Sequence, residues 1–202
     1  MMVGFIMVGV RKSIGLVLLD ERQRRYVITI LDVTVGKIQA VVSRCRYTAS
    51  LIGMLVEYEL IEDARGYRLQ ALEPVAQLHY VSYEHHQLFH QLLDIIKHVL
   101  PSEASAEEIF MLVHEYIHHA RSGAVYDERI IKLMMCSILY AAGFYESTNT
   151  VVDELIQLPF ECLHTRAHEV VAGELDAMII TSLQRYPYAQ QLKTIHFFKG
   201  AS

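Results

Sequence analysis

The chain has 202 residues, of which 52% are apolar and 20% charged, with a formal net charge of −5. That length holds one larger domain or two small ones with a real core, and the composition excludes a disordered chain. Three scattered cysteines, Cys45, Cys136 and Cys162, lack any CxxC spacing, which excludes a disulfide framework or a cysteine zinc ribbon and points to a reducing, cytoplasmic setting.

In chain order, the apolar opening MMVGFIMVGV has no basic n-region and no small-residue cleavage site, and no later run reaches the ~18 apolar residues of a membrane span. It reads as an opening strand. Val10 to Leu19, with Ile14, Leu16 and Leu18 on one face, predicts a strand that turns through Asp20 to Arg24. Tyr26 to Val33 and Ile38 to Val42 are rich in β-branched residues and flank Thr34-Val35-Gly36-Lys37, so they form a hairpin. Leu51 to Ile61 alternates Met54, Val56, Tyr58 and Leu60 against Glu57 and Glu59, the period of a half-buried strand. After a turn at Glu62 to Gly66, Tyr67 to Leu72 makes a fifth strand before Pro74. Five short strands in this space suggest a small closed barrel, an OB-fold being the common solution and an SH3-like barrel the alternative.

Beyond Pro74 the period changes to 3.6. Leu78, Val81, Leu88, Leu92, Ile95 or Ile96, and Val99 form one long stripe ended by Pro101. Ser105 and Glu108 make a capping box for a helix burying Ile109, Val113, Tyr116 and Ala120, stopped by Ser122-Gly123. A third helix spans about Tyr126 to Ala142 with Gly143 at C′, and a fourth about Thr150 to Leu158, before Pro159. A fifth covers about Thr165 to Tyr186 on Val171, Leu175, Met178 and Ile179, and Leu192 to Phe198 is apolar enough to dock. The predicted class is α+β, with an OB-fold-like, five-stranded β-barrel in residues 1–76 and an all-α helical domain in 77–202.

Charge divides along the same line. Residues 1 to 80 hold ten Lys or Arg against eight acids, net +2, and residues 81 to 202 hold eight against fifteen, net −7. A polyanion would choose the first part. Lys12, Arg24, Arg25, Lys37, Arg44 and Arg46 supply cations that displace counterions, and Tyr47 an aromatic that stacks on a base. The rival chemistry is His114-Glu115-Tyr116-Ile117-His118, which fits H-E-x-x-H: on a helix the two histidines share a face for zinc and Glu115 serves as general base of a hydrolase. No motif places a third ligand. His164 and His168 are also four apart, and Glu115 to His118 with Glu161 to His164 gives two Glu-x-x-His units, though Pro159 breaks the second helix. Cys136 reads as core and Cys45 as an incidental loop thiol. Phosphate loops, nucleophile elbows and dinucleotide fingerprints do not occur.

The order of parts resembles one family. ITILDVTVGKIQAVVSRCR is similar to the strand, Gly-Lys turn, strand and basic loop of the bacterial DNA repair protein RecO, a recombination mediator, and LIGMLVEY to its next segment. LFHQLLDIIKHVLPSEASAEEIFMLVHEYI, IIKLMMCSILYAAGF and LKTIHFF resemble its helical part, the likeness covering about residues 10 to 146 well and the remainder poorly. The resemblance implies a non-enzymatic protein without a cofactor or small-molecule substrate. It also implies binding of single- and double-stranded DNA, annealing of complementary strands, and work with RecR and single-stranded DNA-binding protein to load RecA. The family's four-cysteine zinc site has no counterpart, because Phe144 is followed by a stretch with Cys162 alone, so no metal is carried over. The basic loop is also sparser in Lys and Arg than is usual in the family. A protein-interaction scaffold that has lost DNA binding is the third expectation.

Overall fold

β-Branched residues at every second position can bury one face only if the strands curl onto each other, and the first part of the chain does this by closing a barrel. The computed structural model describes residues 10–22, 26–43, 50–78, 80–102, 106–147, 149–192 and 194. The expected opening strand lies outside them. The strands are β1 (Val10–Arg22), β2 (Tyr26–Asp32), β3 (Gly36–Val42), β4 (Met54–Asp63) and β5 (Gly66–Gln77). They close in the order β1-β2-β3-β5-β4. All pairings are antiparallel except β3 with β5, which run parallel from Ala40↔Tyr67 to Val42↔Leu69. This is an OB-fold-like closure, and it decides between the two barrels that alternation alone allowed.

β1 serves two neighbours. Its first part pairs with β4 from Val10↔Ile61 to Leu16↔Leu55 and its later part with β2 from Gly15↔Asp32 to Arg22↔Tyr26, with an irregularity between Val17 and Leu19. Such a bulge bends and twists a strand, which lets one strand turn the corner of a small barrel. Inside lie Val17, Ile28, Ile30, Ile38, Val56, Tyr58, Leu60 and Leu69, with Met54 packed against them, so the expected inward face of β4 is the one observed. Gly36 at φ 76 sits directly after the Val33–Val35 turn, as the hairpin requires.

One expectation fails here: β5 runs through Pro74 to Gln77 rather than ending at Leu72. Pro74 pairs with Val56 beside a register shift at Leu55/Val56, a second shift follows at Glu57/Glu59, and Ala71 stands at φ 47. The β3 partner of β5 reaches only Leu69, so proline occupies an irregular edge stretch where its missing N–H costs no ladder bond.

The helices are α1 (Tyr83–Val99), α2 (Glu107–Arg121), α3 (Glu128–Ala141), α4 (Thr150–Leu155), α5 (Phe160–Arg166) and α6 (Ala172–Gln184). α1 starts later than its stripe, because the Ser82 hydroxyl accepts from the His85 amide at 3.1 Å and caps the helix there. Ser105, the expected cap of α2, lies outside the described residues. α3 is capped by Asp127, and it ends in a Schellman motif: Phe144 N donates to Leu139 O at 2.9 Å and Gly143 N to Tyr140 O at 3.0 Å, with Gly143 at φ 78. Ile131, Leu133, Met134, Met135, Cys136, Ile138 and Leu139 are fully buried in α3, which contacts α1, α5 and α6 and is the centre of the helical part.

The single helix expected from Thr165 to Tyr186 is instead two. α5 starts directly after Pro159, a 3-10 turn follows at Ala167–Glu169, and Val170 and Val171 are extended at φ −117 and −94 before α6 begins. Proline, preset at φ −61, starts a helix as readily as it ends one. Two adjacent β-branched residues then favour extended backbone. Arg166, holding both oxygens of Glu169 at 2.7 Å, spans the break. Val171 is accordingly 62% exposed, while Leu175, Met178 and Ile179 are buried as expected. The described part of the last segment docks on α1, Thr194 Oγ1 donating to Asp94 Oδ2 at 3.0 Å.

By contacts the chain forms two compact units, Met1–Gln77 with Ser102–Phe110, and Leu78–Pro101 with Met111–Ser202. Among the described residues no helix is long and apolar enough to cross a membrane.

Candidate functional site

Of the seven residues expected to contact nucleic acid, two are described. Arg24, Arg25, Arg44, Arg46 and Tyr47 lie outside the described residues. Lys12, on β1, is exposed and lines a cleft of about 590 Å³ together with Glu57, Glu59 and Glu73. Those carboxylates offset its charge. Lys37, at the start of β3, is only 9% exposed and forms a parallel bridge with Ser102 within the same unit. The strand ends that border the two arginine stretches are neighbours in the barrel: Arg22 pairs with Tyr26, Val27 with Val41, and Val41 with Arg68. Arg65 is exposed in the β4–β5 turn, and Arg68 is half-exposed and paired with Asp63 at 2.6 Å.

Three residues that line the barrel cleft, Ser13, Thr34 and Tyr58, share one buried partner that composition and spacing do not single out. Asp32, fully buried at the end of β2, accepts from Ser13 Oγ and Tyr58 Oη through Oδ2, each at 2.5 Å. Its Oδ1 accepts from Thr34 N, Thr34 Oγ1 and Val35 N, each at 2.8 Å. Burial alone would raise its pKa, but the bonds from Ser13, Tyr58, Val35 and Thr34 outweigh it and hold the carboxyl below its ordinary value. Burial, and then the Asp32 charge, pushes the Tyr58 phenol far up. The carboxylate knots β1, β4 and the β2–β3 turn together. The one hint in the sequence is an Asp two residues before Thr34 at the end of an apolar strand, a turn-forming arrangement.

In the helical unit, histidines meet in pairs. His114 and His118 of the H-E-x-x-H stretch lie on α2 with ring centroids 4.5 Å apart. His86 and His90 are similarly placed on α1 at 4.3 Å. Among the described residues, no group of three or more His, Cys, Asp or Glu is placed to hold a metal ion. Among the described residues, neither H-E-x-x-H nor the two Glu-x-x-His units is joined by the further donors of a hydrolase or di-iron centre. His85 is structural: Nδ1 takes the Val81 amide at 3.4 Å, so Nε2 carries the proton and donates to Tyr116 Oη at 2.7 Å, while the ring stacks on Tyr126 at 4.4 Å. Burial, and then His86, holds its pKa below the ordinary imidazole value.

A third pair crosses elements. His119 of α2 and His164 of α5 have centroids 4.5 Å apart on the wall of an open cleft of about 1040 Å³, with His168, Glu84, Asp127 and Glu128 also lining it. Sequence spacing offers no reason to bring His119 to His164. Cys136 is buried and its thiol is pushed up to about 12, by burial first and Asp176 second. Cys162 is an exposed free thiol.

No protein-family model matches the chain, and no curated protein matches it.

Proposed function

We propose that the chain is a RecO-like DNA-binding and annealing module, acting stoichiometrically in DNA repair with RecR-like and single-stranded DNA-binding partners and with RecA, in the cytoplasm. The observation that supports this best is the register of the barrel. Arg24-Arg25 join the end of β1 to the start of β2, and Arg44 to Tyr47 follow the end of β3, and these three strand ends are neighbours in the OB-fold-like closure whose strand 2–3 face and turns commonly take oligonucleotides. The start of β5 lies beside the end of β3, so exposed Arg65 borders the same end. Lys12 and Lys37 contribute less, one being ringed by carboxylates and the other buried.

The test is binding of labelled single-stranded oligonucleotide across a salt series, for the full chain and for a variant with Arg24, Arg25, Arg44 and Arg46 all changed to Ala. At ~0.7 per phosphate contact, losing four contacts lowers the slope of log affinity against log salt by about 3 units. Lys12→Ala, by contrast, leaves the slope within about 0.5 of the parent. Absence of binding at low salt overturns the proposal and leaves an interaction scaffold as the function.

A further inference from the structure

We propose that His119 and His164 form a two-histidine site for a divalent transition-metal ion, with Zn²⁺ as the representative, in the open cleft of the helical unit. The two rings come from different elements, the last turn of α2 and the middle of α5, and sit 4.5 Å apart with their planes at 53°. Phe160 backs both, edge-on to His119 at 5.5 Å and stacked on His164 at 5.6 Å and 15°, and it is itself buried. Ligands held by packing lose less freedom on binding than exposed side chains do.

The hydrogen bonds set the right nitrogen free. His164 Nδ1 faces the Phe160 carbonyl at 3.4 Å, and a carbonyl only accepts, so the proton sits on Nδ1 and Nε2 keeps its lone pair. His168 Nδ1 faces the Thr165 carbonyl at 3.0 Å with the same result. An imidazole whose N–H is engaged by a backbone carbonyl is the usual form of a metal-bound histidine.

Glu84 lines the same cleft, and the volume of about 1040 Å³ admits the waters that would complete four-coordination around two protein nitrogens at ~2.0–2.1 Å. Glu128 is paired with Lys132 at 2.8 Å, and Asp127 with Arg129, which also lines the cleft, at 2.6 Å. The described residues gather no third ligand at the pair. The site is thus an open two-ligand one, with His168 elsewhere on the wall of the cleft. The His86/His90 and His114/His118 pairs each belong to one helix; His119 and His164 bridge two, so a bound ion ties α2 to α5.

The experiment is isothermal titration of the full chain with Zn²⁺, alongside histidine ¹H–¹⁵N correlation spectra. The expected result is one saturable site, lost or weakened at least ~10-fold in both His119→Gln and His164→Gln. Before metal is added, the His164 and His168 rings should appear as Nδ1–H tautomers, and on titration the Nε2 signals of His119 and His164 should shift. Because Zn²⁺ links two elements, saturation should also raise the unfolding midpoint of the parent and of His86→Gln, but not of the two site variants. No Zn²⁺ binding overturns the proposal. So does binding that survives both site substitutions and is removed by His86→Gln or His114→Gln.

Discussion

Replacing Asp32 by alanine tests whether one buried carboxylate organises the barrel. Five hydrogen bonds converge on it, three from the hydroxyls of Ser13, Tyr58 and Thr34 and two from backbone amides of the β2–β3 turn. Removing it strands the Tyr58 hydroxyl, 2% exposed, and frees the turn that sets the hairpin. Hydrogen bonds to a charged group contribute about 1.5–3 kcal/mol each, but the Thr34 and Ser13 groups regain water, so the expected loss for Asp32→Ala is about 4 kcal/mol. That is roughly a thousandfold in the opening equilibrium of the barrel. Asp32→Asn keeps the shape: its oxygen can face Thr34 and Val35 while its amide donates to Ser13 Oγ and Tyr58 Oη, both able to accept. The expected cost is then about 1–2 kcal/mol. Native-state hydrogen exchange at the amides of β1, β2 and β4 isolates the barrel from the helices. If Asp32→Ala falls within 1 kcal/mol of the parent, or Asp32→Asn costs as much as Asp32→Ala, the knot is not what holds these strands.

The same group predicts acid sensitivity. Its folded pKa lies below the 3.8 of an unperturbed Asp, so its contribution is full above that value and is lost as pH falls through the lowered folded value. Exchange rates in the barrel should therefore rise steeply only below about pH 4 in the parent, and this component should vanish in Asp32→Asn. Gly15→Ala puts a Cβ within 2.7 Å of Ile30 Cγ1 and 2.8 Å of the Tyr58 hydroxyl, so it should cost about 1–3 kcal/mol by the same exchange measurement, whereas Gly173→Ala, with open space around it, should not. Lys132, 5% exposed, holds Glu128 and Asp176 at 2.8 Å each and joins α3 to α6. Lys132→Met should cost less than Lys132→Ala, because both leave the carboxylates without the ammonium but methionine fills the volume that alanine leaves empty; thermal melts of the two variants decide the order.

How much of this was legible in the chain follows from the range of the forces involved. Strand alternation, the Gly36 and Gly143 positions and the inward face of Val56, Tyr58 and Leu60 are local, set by side-chain direction and backbone freedom within a few residues. Those features, and with them the barrel-then-helices class, could be derived from residue order. Local rules failed where two were in conflict. Pro74 opposed a strand that an irregular edge tolerates, and Pro159 read as a stop where it begins α5.

Closure of β3 on β5, the split partners of β1, the hydroxyls brought to Asp32 from β1 and β4, and the meeting of His119 with His164 all join residues distant in sequence. Neither spacing nor composition encodes such contacts. They arise only when burial of the barrel interior and of α3 fixes the register, since a carboxylate or an imidazole takes its chemical character from the neighbours that packing delivers.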